Sequence, residues 1–181
     1  MNCGNLLIAT PKIIGDHDFH RSVIIITSLD DENISGHIIN KKLNYNLNNL
    51  IEDIKPPIPL FYGGPVETDR LFFIHKSSIK IPESKKISNH INWCGDLDMT
   101  IKLINDKTIS SNDIMFFLGY SGWDRSQLES EFIDKSWRLF RNDISNYLFQ
   151  KNIVNIWKDC IKSFGNDYIL WFNTPNNPNH N

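Results

Sequence analysis

Cysteine is scarce in this sequence, and the few cysteines present are not paired. The chain has three of them, Cys3, Cys94 and Cys160, and no C-x-x-C motif. A structural zinc site or a dithiol redox centre needs paired cysteines, and a disulfide framework needs an even set. The six histidines show neither an H-x-x-x-H nor an H-E-x-x-H spacing. We therefore expect no metal site, no cofactor and no disulfide.

Long hydrophobic runs and an excess of basic residues are missing as well. The longest apolar runs, Val23–Ile26 and Ile114–Leu118, are far shorter than the roughly 20 residues that span a bilayer. The N-terminus has no basic stretch followed by an apolar one, as a secretion signal would have. Lysine and arginine total 19 against 21 acidic residues, so the formal charge of −2 gives no positive field for nucleic acid. We expect a cytoplasmic protein that binds neither membrane nor nucleic acid directly.

Short runs of β-branched and aromatic residues predict the strands. The polar turn Asp30–Asn33 separates two of these runs, which favours a hairpin. The segment 79–91 is polar and irregular, and we expect it on the surface. The predicted strands are Leu6–Ala9, Ser22–Ser28, Gly36–Asn40, Pro59–Tyr62, Leu71–His75, Ile114–Tyr120, Trp137–Phe140 and Tyr168–Phe172.

Apolar residues at helical spacing, together with capping residues, predict four helices. They are 47–54, capped by Asn46 and ended by Pro56; 97–104, capped by Asp96; 125–134, opened by a capping box at Asp124–Gln127; and 153–164, capped by Asn152 and closed by Gly165. Strands and helices do not alternate strictly, which favours an α+β fold over a doubly wound sheet. We expect one domain over residues 1–172 and a flexible Asn/Pro-rich tail over residues 173–181.

Two segments carry a resemblance to a known family. Leu118–Phe132 is typical of a buried strand that breaks at Gly119 and Gly122 and leads into a helix, and Phe61–Arg70 contains a Gly-Gly-Pro turn. In this order and at this spacing they resemble the YqgE/AlgH family of small bacterial proteins. Further family-like blocks are Leu6–Pro11, Asp18–Ile24, Gly36–Asn40, Phe73–His75 and Trp137.

The resemblance implies both a fold and a class of function. Members have a bifurcated, mostly antiparallel β-sheet folded towards a pseudo-barrel, with helices outside it. The family is labelled as transcriptional regulators, and its biochemical activity is not established. The resemblance therefore implies a non-enzymatic regulatory or protein-interaction module. Thr27–Leu29 stands where many members carry a Cys-Glu-His-like element, so no chemistry of that element carries over.

Direct binding to DNA does not fit the sequence. It contains no helix-turn-helix pair, no zinc-finger spacing and no basic helix. The predicted helix 125–134 carries Glu129, Glu131 and Asp134, which would repel phosphates. We expect any effect on transcription to be indirect, through an unknown protein partner or a small anionic ligand.

The family-like blocks predict a single cleft for that partner or ligand. Arg21 and Arg70 are planar donors suited to a carboxylate or a phosphate, and Trp123 would supply apolar contact. Glycines allow close approach of a ligand to the backbone. The predicted cleft consists of Arg21, Ser22, Gly63, Gly64, Pro65, Asp69, Arg70, His75, Gly119, Tyr120, Gly122, Trp123 and Gln127.

An enzyme is the alternative interpretation. Gly119–Trp123 resembles the G-x-S-x-G nucleophile elbow, but its second glycine stands one position too early. Family members commonly carry alanine in place of Ser121, which a nucleophile would not allow. Ser22 and His75, with Asp69, have the residue types of nucleophilic catalysis. A small hydrolase with His75 as its base, and a small-anion binding protein, therefore remain as alternatives.

Aromatic residues near the predicted turns support an interaction surface. Exposed aromatic residues beside arginine are typical anchors of protein interfaces. Ordinary core packing would bury the same residues, so their exposure in the structure decides between an interface role and a core role. The residues concerned are Phe61, Tyr120, Trp123 and Trp137.

Overall fold

The structure, a computed structural model, describes residues 1–13, 15–141, 148–149 and 153–165. The predicted cap Asn152, the predicted strand Tyr168–Phe172 and the predicted tail 173–181 lie outside these residues. The strands are β1 (Leu6–Ala9), β2 (Val23–Leu29), β3 (Asn33–Ile38), β4 (Lys42–Asn46), β5 (Pro59–Tyr62), β6 (Val66–Lys76), β7 (Lys85–Lys86), β8 (Ile91–Trp93), β9 (Ile114–Asp124) and β10 (Trp137–Phe140). The helices are α1 (Leu97–Asn105), α2 (Arg125–Ile133) and α3 (Ile156–Lys162), and single 3-10 turns lie at Pro11–Ile13, Leu47–Asn49 and Ile153–Asn155.

The strands form one curled, mostly antiparallel ten-stranded sheet that forks along β9. Its main path runs β10-β1-β2-β3-β9-β6-β8-β7. The first part of β9 lies between β5, which is parallel to it, and β6, which is antiparallel. The last part of β9 pairs with β3 instead. Because β4 pairs with β5, these two strands form the second branch. The predicted α+β class with a bifurcated, mostly antiparallel sheet is confirmed.

Most predicted strands are present, and several are longer than the sequence indicates. The strands β1, β5 and β10 have the predicted bounds. The β2–β3 hairpin is also present, and its turn is held by Asp30, whose Oδ1 accepts the backbone N–H groups of Glu32 at 2.9 Å and Asn33 at 2.7 Å. β3 begins at Asn33 rather than Gly36, because its pairing with β9 extends to Asp124. Long-range pairing therefore sets this strand boundary.

The predicted helix over residues 47–54 is wrong. Only the 3-10 turn Leu47–Asn49 forms there, and the Asn49 side chain accepts the backbone N–H of Asn46 at 2.9 Å. Asparagine has a low helix propensity because its side chain competes for backbone hydrogen bonds. Leu47 and Ile54 are buried without a helix, whereas Leu50 is 50% exposed, and the backbone N–H of Leu47 bonds to the carbonyl oxygen of Ile58. The helical spacing was therefore a coincidence, because Leu47, Ile51 and Ile54 pack in one core while Leu50 points to solvent.

The segment 79–91 differs in part from the surface excursion expected for it. Ile81, Ile87 and Ile91 are buried, and the segment contributes β7 and the start of β8 to the sheet. The isoleucines are separated by residues that are exposed or partly exposed, so the average polarity of the segment concealed its contribution to the core.

Two capping predictions have different outcomes. Asp96 caps α1 as predicted, because its Oδ1 accepts the backbone N–H of Met99 at 2.8 Å. Asp124 precedes α2 as predicted, but its side chain makes no capping hydrogen bond. Gln127 does not reach back to it and donates instead to Oε1 of Glu131 at 2.8 Å. The predicted capping box is therefore absent, and the Asp124 carboxylate is not engaged in capping α2.

The core lies on both faces of the sheet. In β2, Val23 and Ile25 belong to one buried cluster, while Ile24 and Ile26 belong to another. This explains why β2 is almost continuously apolar rather than alternating. Among the described residues, no helix has both the length and the apolar character needed to cross a membrane.

Candidate functional site

A cleft of about 520 Å³ opens over the part of the sheet formed by β3, β9, β6 and β8. One end of the cleft is aromatic, and the other end is polar and lies beside the start of α2. It is lined by Ser28, Asn33, Ile34, Ser35, His37, Val66, Glu67, Arg70, Phe72, Trp93, Tyr120, Gly122, Trp123, Asp124 and Gln127.

A bulge in β6 forms the rim of the cleft. The register of β6 against β9 shifts between Val66 and Leu71, and residues 67–70 have no register partner on β9. All four residues of the bulge are exposed. On the opposite strand Gly119 has a φ of 71°, a conformation that glycine adopts without steric cost. Because the pairing is irregular here, Arg70 lies at the edge of the cleft and does not pack on a face of the sheet.

The aromatic end of the cleft is built from three neighbouring strands. Phe72 and Trp93 lie nearly parallel, with an interplanar angle of 13° and ring centroids 6.4 Å apart. Tyr120 meets Phe72 edge to face at 5.8 Å. Trp93 and Tyr120 are partly exposed, whereas Phe72 is buried. A ligand entering the cleft therefore has aromatic surface to contact at its wall.

Two cations of the protein itself lie over these rings. The guanidinium carbon of Arg70 is 5.2 Å from the centroid of Phe72, and Nζ of Lys85 is 5.7 Å from the centroid of Trp93. Arg70 also forms an ion pair with Glu67, with 2.9 Å between Nη1 and Oε2. The ring faces thus attract cations, as their quadrupoles require.

His37 lies beneath the aromatic wall, and the sequence-based prediction missed it. Its Nδ1 is 3.1 Å from the carbonyl oxygen of Gly119, and Nε1 of Trp93 donates to its Nε2 at 3.2 Å. The imidazole must therefore be neutral, with its proton on Nδ1. It stacks on Phe117 at 5.1 Å, and burial lowers its pKa to about 4. The family-like block Gly36–Asn40 was the available signal for this residue.

The polar end of the cleft is organised by Glu131, which was also missed. Oε2 of Glu131 accepts the indole N–H groups of Trp123 at 3.1 Å and Trp137 at 2.6 Å. Its Oε1 accepts the amide of Gln127 at 2.8 Å. This network fixes Trp123 with only 5% of its surface exposed, so Trp123 supports the cleft as part of the core. Phe61 and Trp137 are buried as well, and Tyr120 alone of the four predicted interface aromatics is partly exposed.

The predicted glycines fall into two groups. A Cβ at Gly63 would overlap the carbonyl oxygen of Gly119, and a Cβ at Gly64 would overlap that of Tyr120. These glycines therefore allow two backbone segments to pass close to each other. At Gly122 a Cβ would meet only the ring of Tyr120, at 3.2 Å, and the residue is exposed in the cleft. The absence of a side chain at position 122 keeps the cleft open.

The structure brings five of the predicted cleft residues together. Arg70, Tyr120, Gly122, Trp123 and Gln127 all line the cleft. The crossing glycines Gly63 and Gly64 lie at the β5–β6 connection, and Gly119 lies on β9 opposite the β6 bulge. Pro65 and Asp69 are exposed but do not line the cleft. Arg21, Ser22 and His75 do not line it either.

Arg21 lies at the entrance to β2. It has a φ of 53°, and its carbonyl oxygen accepts Nδ2 of Asn40 at 2.9 Å. Its guanidinium carbon is 5.0 Å from the ring centroid of Trp157 on α3. The two predicted anion-binding arginines, Arg21 and Arg70, therefore do not line one cleft.

Ser22 and His75 are not placed to act as a nucleophile and its base. Both are fully buried, and neither Ser22 Oγ nor His75 Nε2 has a hydrogen-bond partner among the described residues. The two side chains are therefore not bonded to each other. Burial also lowers the pKa of His75, and its Nδ1 lies 3.0 Å from the carbonyl oxygen of Lys76. A nucleophile must reach its substrate, and these groups have no access to solvent.

Comparison with known proteins agrees with the fold and with the family that the sequence resembles. The AlgH-like family model matches residues 6–169. A UPF0301 protein of Bacteroides fragilis is 36% identical over 180 residues, which cover 98% of this chain and 90% of that protein. A UPF0301 protein of Chlorobaculum parvum is 32% identical over 183 residues, which cover 100% of this chain and 96% of that protein.

Two solved structures share the fold. The solution structure of the AlgH protein from Pseudomonas aeruginosa has a TM-score of 0.71 at 24% identity and covers 96% of this chain and 94% of that one. The crystal structure of protein DIP2367 from Corynebacterium diphtheriae has a TM-score of 0.75 at 18% identity, with coverages of 97% and 93%. With the family model matched over nearly the whole chain, this protein belongs to the AlgH-like family, UPF0301, as the resemblance to YqgE/AlgH implied.

Proposed function

We propose that this protein is a non-enzymatic, cytoplasmic regulatory module that binds a segment of a partner protein in the cleft over β3, β9, β6 and β8. The observation that carries the proposal is the composition of the cleft. Aromatic surface from Trp93 and Tyr120 is accessible there, and tryptophan and tyrosine are among the residues most enriched at binding hot spots.

The polar end of the cleft suits a peptide. Asn33, Ser35 and Gln127 line it, and amide and hydroxyl groups can both donate and accept hydrogen bonds. A peptide backbone offers the complementary N–H and C=O groups along its length. The volume of about 520 Å³ is sufficient for a few residues of such a segment.

The two alternatives have less support from the geometry. An anion would meet the carboxylates of Glu67 and Asp124 in this cleft, and its one lining arginine already pairs with Glu67. A hydrolase would need an accessible nucleophile and base, whereas Ser22 and His75 are fully buried. We therefore favour recognition of a partner over anion binding and over catalysis.

Blocking the cleft is the direct test of this function. In Gly122→Leu the new side chain would fill the cleft, and position 122 does not have the positive φ that favours glycine. The variant should fold and lose the proteins that the wild type retains in affinity purification from extract of the source cells. Lys102→Leu, which adds leucine at an exposed position of α1 outside the cleft, is the matched control and should retain them. Identical sets of retained proteins for Gly122→Leu and the wild type would contradict the proposal.

We further propose that any role in transcription is exerted through the partner. Purified protein is then expected to cause no retardation of DNA in a gel at low salt. The formal charge of −2 gives no net attraction for phosphates, and Glu129, Glu131 and Asp134, in and just after α2, would repel them. Retardation that weakens as salt is raised would show direct binding and overturn this expectation.

A further inference from the structure

The Arg70 guanidinium lies in a part of the cleft that is suited to binding a guanidinium group. It lies over the face of Phe72 and beside the carboxylate of Glu67, at the distances given above. A ring face combined with a carboxylate is the pair of partners that a planar guanidinium binds best. The site is therefore suited to this group, whichever molecule supplies it.

Arg70, which occupies this site, is bound there only weakly. The Arg70 side chain is 65% exposed, and that of its partner Glu67 is 44% exposed. An ion pair so open to water contributes little, because solvent screens it and two long side chains lose freedom in forming it. Both residues also belong to the bulge 67–70, which has no register partner on β9. An incoming guanidinium can therefore replace Arg70 without disturbing the sheet.

The other charges lining the cleft favour a cation. Asp124 lines it with a carboxylate that makes no capping bond to α2, and Glu67 lines it on the other side. Once a ligand displaces Arg70, it enters a cleft whose lining carries both carboxylates. The second ring of the wall, Trp93, already attracts the ammonium group of Lys85. A positively charged ligand is thus matched by ring faces and carboxylates together.

We infer that the partner segment presents an arginine, whose guanidinium takes the place of Arg70 between Phe72 and Glu67. This inference rests on the proposed function, since it names the side chain by which the partner is recognised. Arg70 then acts as an internal competitor that must leave for the partner to bind. The sign of its effect is the opposite of that expected for an anion site, where Arg70 would hold the ligand.

The test is a titration with the capped tripeptide Ac-Gly-Arg-Gly-NH2, followed by the NMR signals of the tryptophan indole N–H groups. The wild type should bind it, and Arg70→Ala should bind it about three- to fivefold more tightly, because a competing cation–π contact has been removed. Glu67→Gln should bind it more weakly by a similar factor. Arg70 is exposed and outside the ladder, so its replacement leaves the fold intact.

Matched ligands make the outcome decisive. The same tripeptide with citrulline, which has the shape of arginine without its charge, should not bind measurably. Loss of binding in Arg70→Ala, equal binding of the citrulline peptide, or tighter binding of Ac-Gly-Glu-Gly-NH2 would each overturn the inference. Free propylguanidine, which has the same single charge as the tripeptide, would also overturn it if it bound as tightly, since the ligand would then be a small guanidine.

The failure of this inference can be told apart from failure of the proposed function. If Gly122→Leu loses the retained proteins while the arginine tripeptide binds neither the wild type nor Arg70→Ala, the cleft binds a partner but does not recognise arginine. If Gly122→Leu loses nothing and the tripeptide does not bind, both proposals are wrong.

Discussion

Replacing Gly119 with alanine is expected to lower the free energy of unfolding by about 3 kcal/mol or more, a large share of the roughly 5–15 kcal/mol that stabilises a typical domain. The φ of 71° at this position costs an L-residue about 1–2 kcal/mol. The added Cβ would also stand 2.5 Å from the carbonyl oxygen of Gly64 and 2.9 Å from that of Val66. Both are backbone atoms, so the two chain segments must separate, and overpacking of this kind costs about 1–3 kcal/mol.

Gly122→Ala is the matched control for this prediction. It makes the same chemical change three positions along β9, where the Cβ meets only the ring of Tyr120. That partly exposed side chain can turn aside, so we expect a change within about 1 kcal/mol. Urea denaturation of the two variants and the wild type measures the difference. Equal stability of the two variants would show that the crossing between the Gly64 and Gly119 segments is not tight.

The strands were largely predictable because their signal is local. The runs that form β1 and β5 are apolar in sequence and are flanked by glycine and proline, so their bounds follow without knowledge of the fold. The parallel pairing of β5 with β9 was not predictable, because the sequence of neither strand indicates which strand lies beside it. The failed helix over 47–54 shows the same limit, since burial of Leu47 against a distant core produced a helical spacing by chance.

The cleft was predictable only where a residue type stands out on its own. Arg70 and Gly122 were found because an arginine and a glycine beside a turn attract attention in a sequence. His37 and Trp93 were missed because their role exists only when β3 and β8 are brought to the same face of the sheet. Arg21 was grouped with Arg70 because both are arginines in family-like blocks, and the structure places Arg21 against Trp157 instead.

The stability of the protein is expected to fall by about 2 kcal/mol between about pH 7.5 and pH 5 through His37 alone. Burial lowers the pKa of this imidazole from 6.5 to about 4 in the folded protein. Between these values the unfolded chain binds more protons than the folded one, so acidification favours unfolding. The stabilisation from neutral His37 is fully present above pH 6.5 and is lost progressively as the pH falls towards 4.

The structural cause of this effect is the pair of hydrogen bonds at the imidazole. A proton added to Nε2 would turn both ring nitrogens into donors, and the indole N–H of Trp93 would then face an N–H group instead of an acceptor. The positive charge would be buried away from water, without a carboxylate among its hydrogen-bond partners. Arg70, which lies over the Phe72 ring, adds a like charge nearby.

His37→Gln separates this effect from the other titrating groups. Its amide can donate to the carbonyl oxygen of Gly119 and accept from Trp93 while it remains neutral at every pH. Burial lowers the pKa values of His20 and His75 too, so the wild type and the variant share their contribution, and only the difference between the two pH profiles belongs to His37. Urea denaturation at several pH values should give a flatter profile for the variant. Parallel profiles would show that His37 takes up a proton in the folded protein as easily as in the unfolded chain.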